Sequence, residues 1–216
     1  MASKSKRNKA QFKWTKELIF LIVFIVAIIA ITVVLAIPSG AKRNLNKYNE
    51  AITAYNTENS TSYTALTADN VFEEIGGGYD KQVSNVMDLA KENEYTYVFY
   101  GKLTDGVFLE QLSNINTVAK DYEVKKVYLF IANYVADAEA NSETATSTYN
   151  NQIKEYNKII NADKNADCKE FDMASTPALL VFKDGKLFFN TQSDTDSSFT
   201  WSQYINKAFG FEKISK

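Results

Sequence analysis

Hydrophobic and polar positions divide this chain into two unlike parts. From Leu18 to Ile37 the twenty residues LIFLIVFIVAIIAITVVLAI carry Thr32 as their only polar side chain. At about 1.5 Å per residue a helix of that length spans the roughly 30 Å of a bilayer's hydrocarbon, and the Thr32 hydroxyl can bond back to a helix carbonyl. The apolar core of a cleaved signal peptide is shorter, roughly 7 to 15 residues. The segment therefore reads as an uncleaved anchor, with a cut near Ala36 or Ala41 as the alternative.

After Pro38-Ser39-Gly40 the pattern becomes that of a folded domain. Leu45, Tyr48, Ile52 and Tyr55 recur at helical steps, which predicts a short amphipathic helix packed on the domain or, alternatively, paired with a second copy as a stalk. Asn56 to Ala68, rich in Thr, Ser and Asn, reads as a linker. Asn70 to Ile75 predicts one helical turn before Gly76-Gly77-Gly78. No Gly-Lys-Ser/Thr follows those glycines, so they read as a hinge and not a phosphate loop. Asp80 is the expected cap of a helix with Val83, Val86, Met87 and Ala90 on one face, ending near Asn93.

An alternation then follows. Tyr95 to Tyr100 is aromatic and β-branched, a strand that places Tyr95 and Tyr97 on one face and Tyr100 on the other. Thr104 or Asp105 caps a helix with Phe108, Leu112, Ile115, Ala119 and Tyr122 on one side. Val127 to Ala132 is apolar enough for a strand buried on both faces. A polar insertion, Asp137 to Thr146, precedes a helix bearing Tyr149, Ile153, Tyr156 and Ile160. Ala178 to Phe182 is a further buried strand, turned at Asp184-Gly185 into an antiparallel strand from Lys186 to Asn190. A last helix carries Tyr204, Ile205, Ala208 and Phe209 and is expected to stop at Gly210. These elements predict an α/β domain: a small mixed sheet with helices on both faces.

Composition narrows the chemistry. There is no histidine among 216 residues, which removes Ser-His-Asp triads, HExxH zinc sites and imidazole proton shuttles. A single cysteine, Cys168, leaves no intramolecular disulfide, no CxxC pair and no multi-cysteine metal site. Lying between Asp167 and Lys169, with Glu170 beyond, it reads as an ordinary loop or partly buried thiol. Intermolecular disulfide formation is the functional alternative. Asp163-x-Asn165-x-Asp167 begins like a calcium loop, but Cys168 stands where glycine is required and Ala174 where a bidentate glutamate is required, so no metal is expected. Asp194-x-Asp196 reads as loop.

Charge sets topology. Lys4, Lys6, Arg7, Lys9, Lys13 and Lys16 precede the apolar run against Glu17 alone, which keeps the N-terminus cytoplasmic and the rest of the chain outside. Removing those six basic residues and one acidic residue from totals of 24 and 26 leaves 18 and 25 beyond residue 37, a net charge of −7. Such a domain is not expected to seek nucleic acid. The expected organisation is a basic tail (1–17), a membrane helix (18–37), a helix with polar linker (38–69) and an extracytoplasmic domain (70–216).

The order of elements, with Thr176-Pro177-Ala178-Leu179-Leu180-Val181-Phe182-Lys183-Asp184-Gly185-Lys186, resembles the thioredoxin superfamily over about residues 94 to 212. That family's Thr-Pro-x-Leu-x-Val-Phe-x-x-Gly-x segment carries a cis-proline. The nearest likeness is to membrane-anchored or secreted thioredoxin-like proteins of Gram-positive bacteria, including the bacteriocin transport accessory group. Where those proteins run from a strand into Gly-Arg-x-Thr-Cys-x-x-Cys, this chain reads Gly101-Lys102-Leu103-Thr104-Asp105-Gly106-Val107-Phe108. Asp105 thus stands in place of the attacking cysteine and Phe108 in place of the resolving one. Neither side chain can form or resolve a mixed disulfide, so oxidoreductase activity is not expected.

The resemblance implies a retained groove at Thr104, Ser175, Thr176 and Pro177, able to pair with an extended peptide. It implies no cofactor. Asp105 itself reads as a helix cap, with selection of a positively charged partner segment as the sharper idea. The expected function is a membrane-anchored, redox-inactive module that binds an extracytoplasmic protein or peptide. The alternatives are a residual thiol-dependent role through Cys168 and an assembly scaffold built on the Leu45 to Tyr55 helix as a homo-oligomer.

Overall fold

The computed structural model describes residues 40–77, 79–132, 143–192 and 199–214. The expected tail and membrane segment, much of the Asp137 to Thr146 insertion and Asp194 to Asp196 lie outside them. Among the described residues no helix is long and apolar enough to cross a membrane.

Residues Ala41–Lys216 form one compact unit. Its elements run α1 (Gly40–Asn59), β1 (Phe72–Glu74), α2 (Tyr79–Glu92), β2 (Tyr95–Gly101), α3 (Gly106–Asp121), β3 (Val127–Ile131), α4 (Glu143–Ile160), β4 (Ala178–Lys183), β5 (Lys186–Asn190) and α5 (Trp201–Ile214). The five strands form one mixed sheet in the order β1-β3-β2-β4-β5. β1, β3 and β2 are parallel, while β4 runs antiparallel to β2 and β5 antiparallel to β4.

The crossovers decide which face each helix covers. From β1 to β2 the chain moves two places across the sheet, and from β2 to β3 it moves one place back. Parallel crossovers share one hand, so opposite steps put their helices on opposite faces. Accordingly Val83, Val86 and Ala90 of α2 pack with Val98, Tyr100, Phe130 and Leu180. Phe108, Leu112 and Ile115 of α3 pack with Tyr97, Phe99, Leu129 and Val181. Alternation along β2 thus feeds both cores, as the sequence pattern predicts. The Tyr100 hydroxyl, fully buried, donates to the Met173 carbonyl at 2.6 Å, which offsets the cost of burying a phenol oxygen.

The β4-β5 turn has Asp184 at φ 48° and Gly185 at φ 79°, the pair of positive values that matches a two-residue hairpin to strand twist. Beyond it, Leu187 pairs with Phe182 and Phe189 with Val181, so Phe188 is an extra residue on β5. This bulge lets Leu187 enter one core and Phe189 the other, although they are two residues apart.

Four expectations are corrected. Residues 72–74 form β1 and not a helical turn, because parallel pairing with β3 supplies bonds such as Ile75 N–H to Leu129 O at 2.9 Å. The helix after the glycines begins at Tyr79, so Asp80 lies inside it and is not its cap. α5 runs through Gly210 to Ile214, since Phe211 packs edge-on against Phe188 at 5.0 Å and outweighs glycine's helix cost of about 1 kcal/mol.

The fourth concerns the polar segment after α1, which is folded down and not a free linker. Asn49 Nδ2 donates to Leu66 O while its Oδ1 accepts from Leu66 N–H, at 2.9 and 2.8 Å. One heptad on, Asn56 treats Tyr63 the same way at 3.0 and 2.8 Å. Two side-chain amides on one helix face therefore imitate a backbone partner for the returning chain. With Tyr48 and Ile52 buried, α1 packs on the domain, and the boundary expected at residue 70 falls within a single core.

Candidate functional site

β2 ends at Gly101, and the chain turns through Lys102 to Thr104 into α3. Asp105 is the N-cap of that helix, in extended backbone. Its Oδ1 accepts from the Val107 and Phe108 N–H groups at 2.9 and 3.3 Å. Two of the helix's orphan donors are thereby satisfied, and a negative charge sits at the positive end of its dipole. The capping role expected of Asp105 holds.

The carboxylate also reaches the entrance of the neighbouring strand. Its Oδ2 accepts a hydrogen bond from the Thr176 hydroxyl at 3.1 Å. Thr176-Pro177 is a cis peptide bond at the entrance to β4. Tertiary folding has thus brought Asp105, Thr176 and Pro177 together, with Thr104 and Ser175 exposed beside them. Phe108 is not at the surface. It is fully buried and stacks on Phe99 with ring centroids 4.6 Å apart, so it fills core and offers the groove no chemical group.

The segment before Thr176 is pinned from three sides. Gln192 Nε2 donates to the carbonyls of Asp172 and Ser175 at 3.0 and 2.9 Å, and its Oε1 accepts from Asp172 N–H. Asn157 of α4 donates to Asp172 Oδ1 and accepts from Met173 N–H, while Tyr100 holds the Met173 carbonyl from below. These hydrogen bonds hold the loop, and none of the supports carries a pattern that marks it in the sequence.

The aromatic neighbour of the helix end is also invisible to pattern reading. Tyr55 of α1 lies directly against Gly106, where a Cβ would run into its ring and hydroxyl. Tyr63 stacks on Tyr55 at 5.6 Å and 15°. Val107, the next residue of α3, is 41% exposed, one of few large apolar side chains left so open among the described residues.

Cys168 lies apart from this arrangement. It is buried in the core on the α2 and α4 side of the sheet, where its Sγ accepts from Asn190 Nδ2 at 3.4 Å. Asp163 to Asp167 form a turn docked on β5, through Asn165 N–H to Leu187 O at 2.8 Å and Leu187 N–H to Asp163 O at 3.1 Å. Another concavity, of about 280 Å³, lies between β1 and α2 and is rimmed by Glu73, Glu74, Asp88 and Glu92. Lys126 and Lys47 already pair with the first two.

No family model, curated protein or solved structure matches this chain. Its chemistry rests on the geometry of its own residues. That geometry supplies a half-exposed Thr176-Pro177 segment beside an exposed Ser175, a capped helix end and an apolar side chain. Neither Asp105 nor Phe108 supplies a thiol there.

Proposed function

We propose that the chain is a membrane-anchored, redox-inactive thioredoxin-like domain that binds an extracytoplasmic protein or peptide. The observation that carries this reading is the Asp105–Thr176 hydrogen bond. It joins the two segments on which the resemblance rests, 71 residues apart, and does so with a carboxylate where thiol exchange would need a thiolate. The strand order β1-β3-β2-β4-β5, its parallel and antiparallel pairs, and helices on both faces support the thioredoxin-like assignment. A pinned loop that ends in the half-exposed Thr176-Pro177 segment suits pairing with an extended segment, where main-chain bonds give affinity and side-chain pockets give selectivity.

Photo-crosslinkers placed in cells at Thr104 and at Ser175, with Asn151 on α4 as a control, test the module. Recurrent capture of one protein from the first two positions alone is expected. Equal capture at all three, or none, overturns the reading. The anchor is tested by alkaline carbonate extraction and intact mass. A chain found to begin after Ala36 or Ala41 and washed off membranes would remove it.

A further inference from the structure

The aromatic pair against Gly106 is held in place and not incidental. Asn56 clamps both backbone groups of Tyr63, and the Thr61 hydroxyl donates to the same Asn56 Oδ1 at 2.8 Å, so Tyr63 is held stacked on Tyr55 before any partner arrives. A preorganised aromatic pair loses little conformational freedom on binding. Gly106, against which Tyr55 lies, and Glu110 are four residues apart and share one side of α3. Glu110 is exposed and makes no ion pair with any described residue. Val107 projects from the same turn of helix.

A half-exposed tyrosine pair, a carboxylate without an ion pair among the described residues and a small apolar contact are complementary to an arginine or lysine side chain, whose alkyl stem covers apolar surface while its cation meets ring and carboxylate. We infer that the Tyr55–Tyr63 pair with Glu110 selects partner segments that carry a basic side chain. Desolvation, the charge of Glu110, the neighbouring Tyr55 and the charge of Asp105 all raise the Tyr63 phenol pKa, which places both carboxylates within electrostatic reach of that ring. The inference rests on the groove reading and names the chemistry of what the groove takes.

The test is panning of a random dodecapeptide display library on the full chain in detergent. The best arginine peptide and its citrulline counterpart are then compared by fluorescence polarisation. Enrichment of Arg or Lys is expected, with binding about tenfold weaker for citrulline and for Glu110→Lys. Glu110→Gln and Tyr63→Leu should each lose part of that factor, and Glu155→Lys on α4 should change nothing. Enrichment of peptides without a basic residue, or basic peptides that bind Glu110→Lys equally well, overturns the inference and leaves the groove reading standing. No enrichment of any peptide overturns both.

Discussion

The Thr176 hydroxyl donates to Asp105 Oδ2 at 3.1 Å, while the other oxygen of the same carboxylate caps α3. One side chain thus closes a helix end and ties it to the entrance of β4.

Asp105→Ala removes both roles and should destabilise the domain by about 1–2 kcal/mol in urea unfolding. Thr176→Val should cost about 1 kcal/mol, and the double variant less than the sum, because the shared bond is lost only once. Asp105→Asn keeps the cap acceptor and should stay within about 1 kcal/mol of the native chain. Strict additivity of the first two would show that the bond carries no free energy.

A glycine in a helix usually gains from replacement by alanine, by about 0.5–1 kcal/mol. At Gly106 the opposite is expected, since the new methyl meets Tyr55. Gly106→Ala should lower the melting temperature, with a cost of about 1–3 kcal/mol, and should become neutral or stabilising in a Tyr55→Ala background. If the sign is the same in both backgrounds, Tyr55 does not pack where the structure places it.

Cys168 is 4% exposed. Alkylation by iodoacetamide should be roughly 100-fold slower in the folded chain than in urea, and Cys168→Ser should leave capture from Ser175 unchanged. Rapid labelling together with loss of capture would revive a thiol-dependent role.

Burial raises the phenol pKa of Tyr48 well above its ordinary value, helped by its hydrogen bond to Glu74 and that carboxylate's charge. Tyr97 is raised by burial and by Glu212. Above about pH 10 these phenols ionise in the unfolded chain while the folded chain keeps them protonated. Stability is then intact below that pH and falls as pH rises through it, by up to about 1.4 kcal/mol per unit for each tyrosine. Denaturant midpoints measured from pH 8 to 11 should show this decline, and Tyr48→Phe with Tyr97→Phe should flatten it. A decline equally steep in that double variant would point to other groups.

The strands β2, β3, β4 and β5 and the helix α3 were legible because their signals are local. Alternation, a continuous apolar run, the Asp105 cap and the Asp184-Gly185 turn each act within a few residues. β1 was not, since three residues, none of them buried, are too few to show a period and become a strand only when β3 offers its edge. Gly210 misled for a similar reason: its propensity is local, and the aromatic packing that overrides it is not.

The sequence by itself determined the α/β class, the helix cap and the absence of thiol chemistry at Asp105 and Phe108, because each depends on residue identity or short-range spacing. Only the tertiary structure decided that Asp105 meets Thr176, that Tyr55 and Tyr63 wall the same end of α3, and that the polar segment after α1 is clamped by Asn49 and Asn56. Those contacts join residues far apart in the chain, and their free energy exists only once the core has brought the elements together.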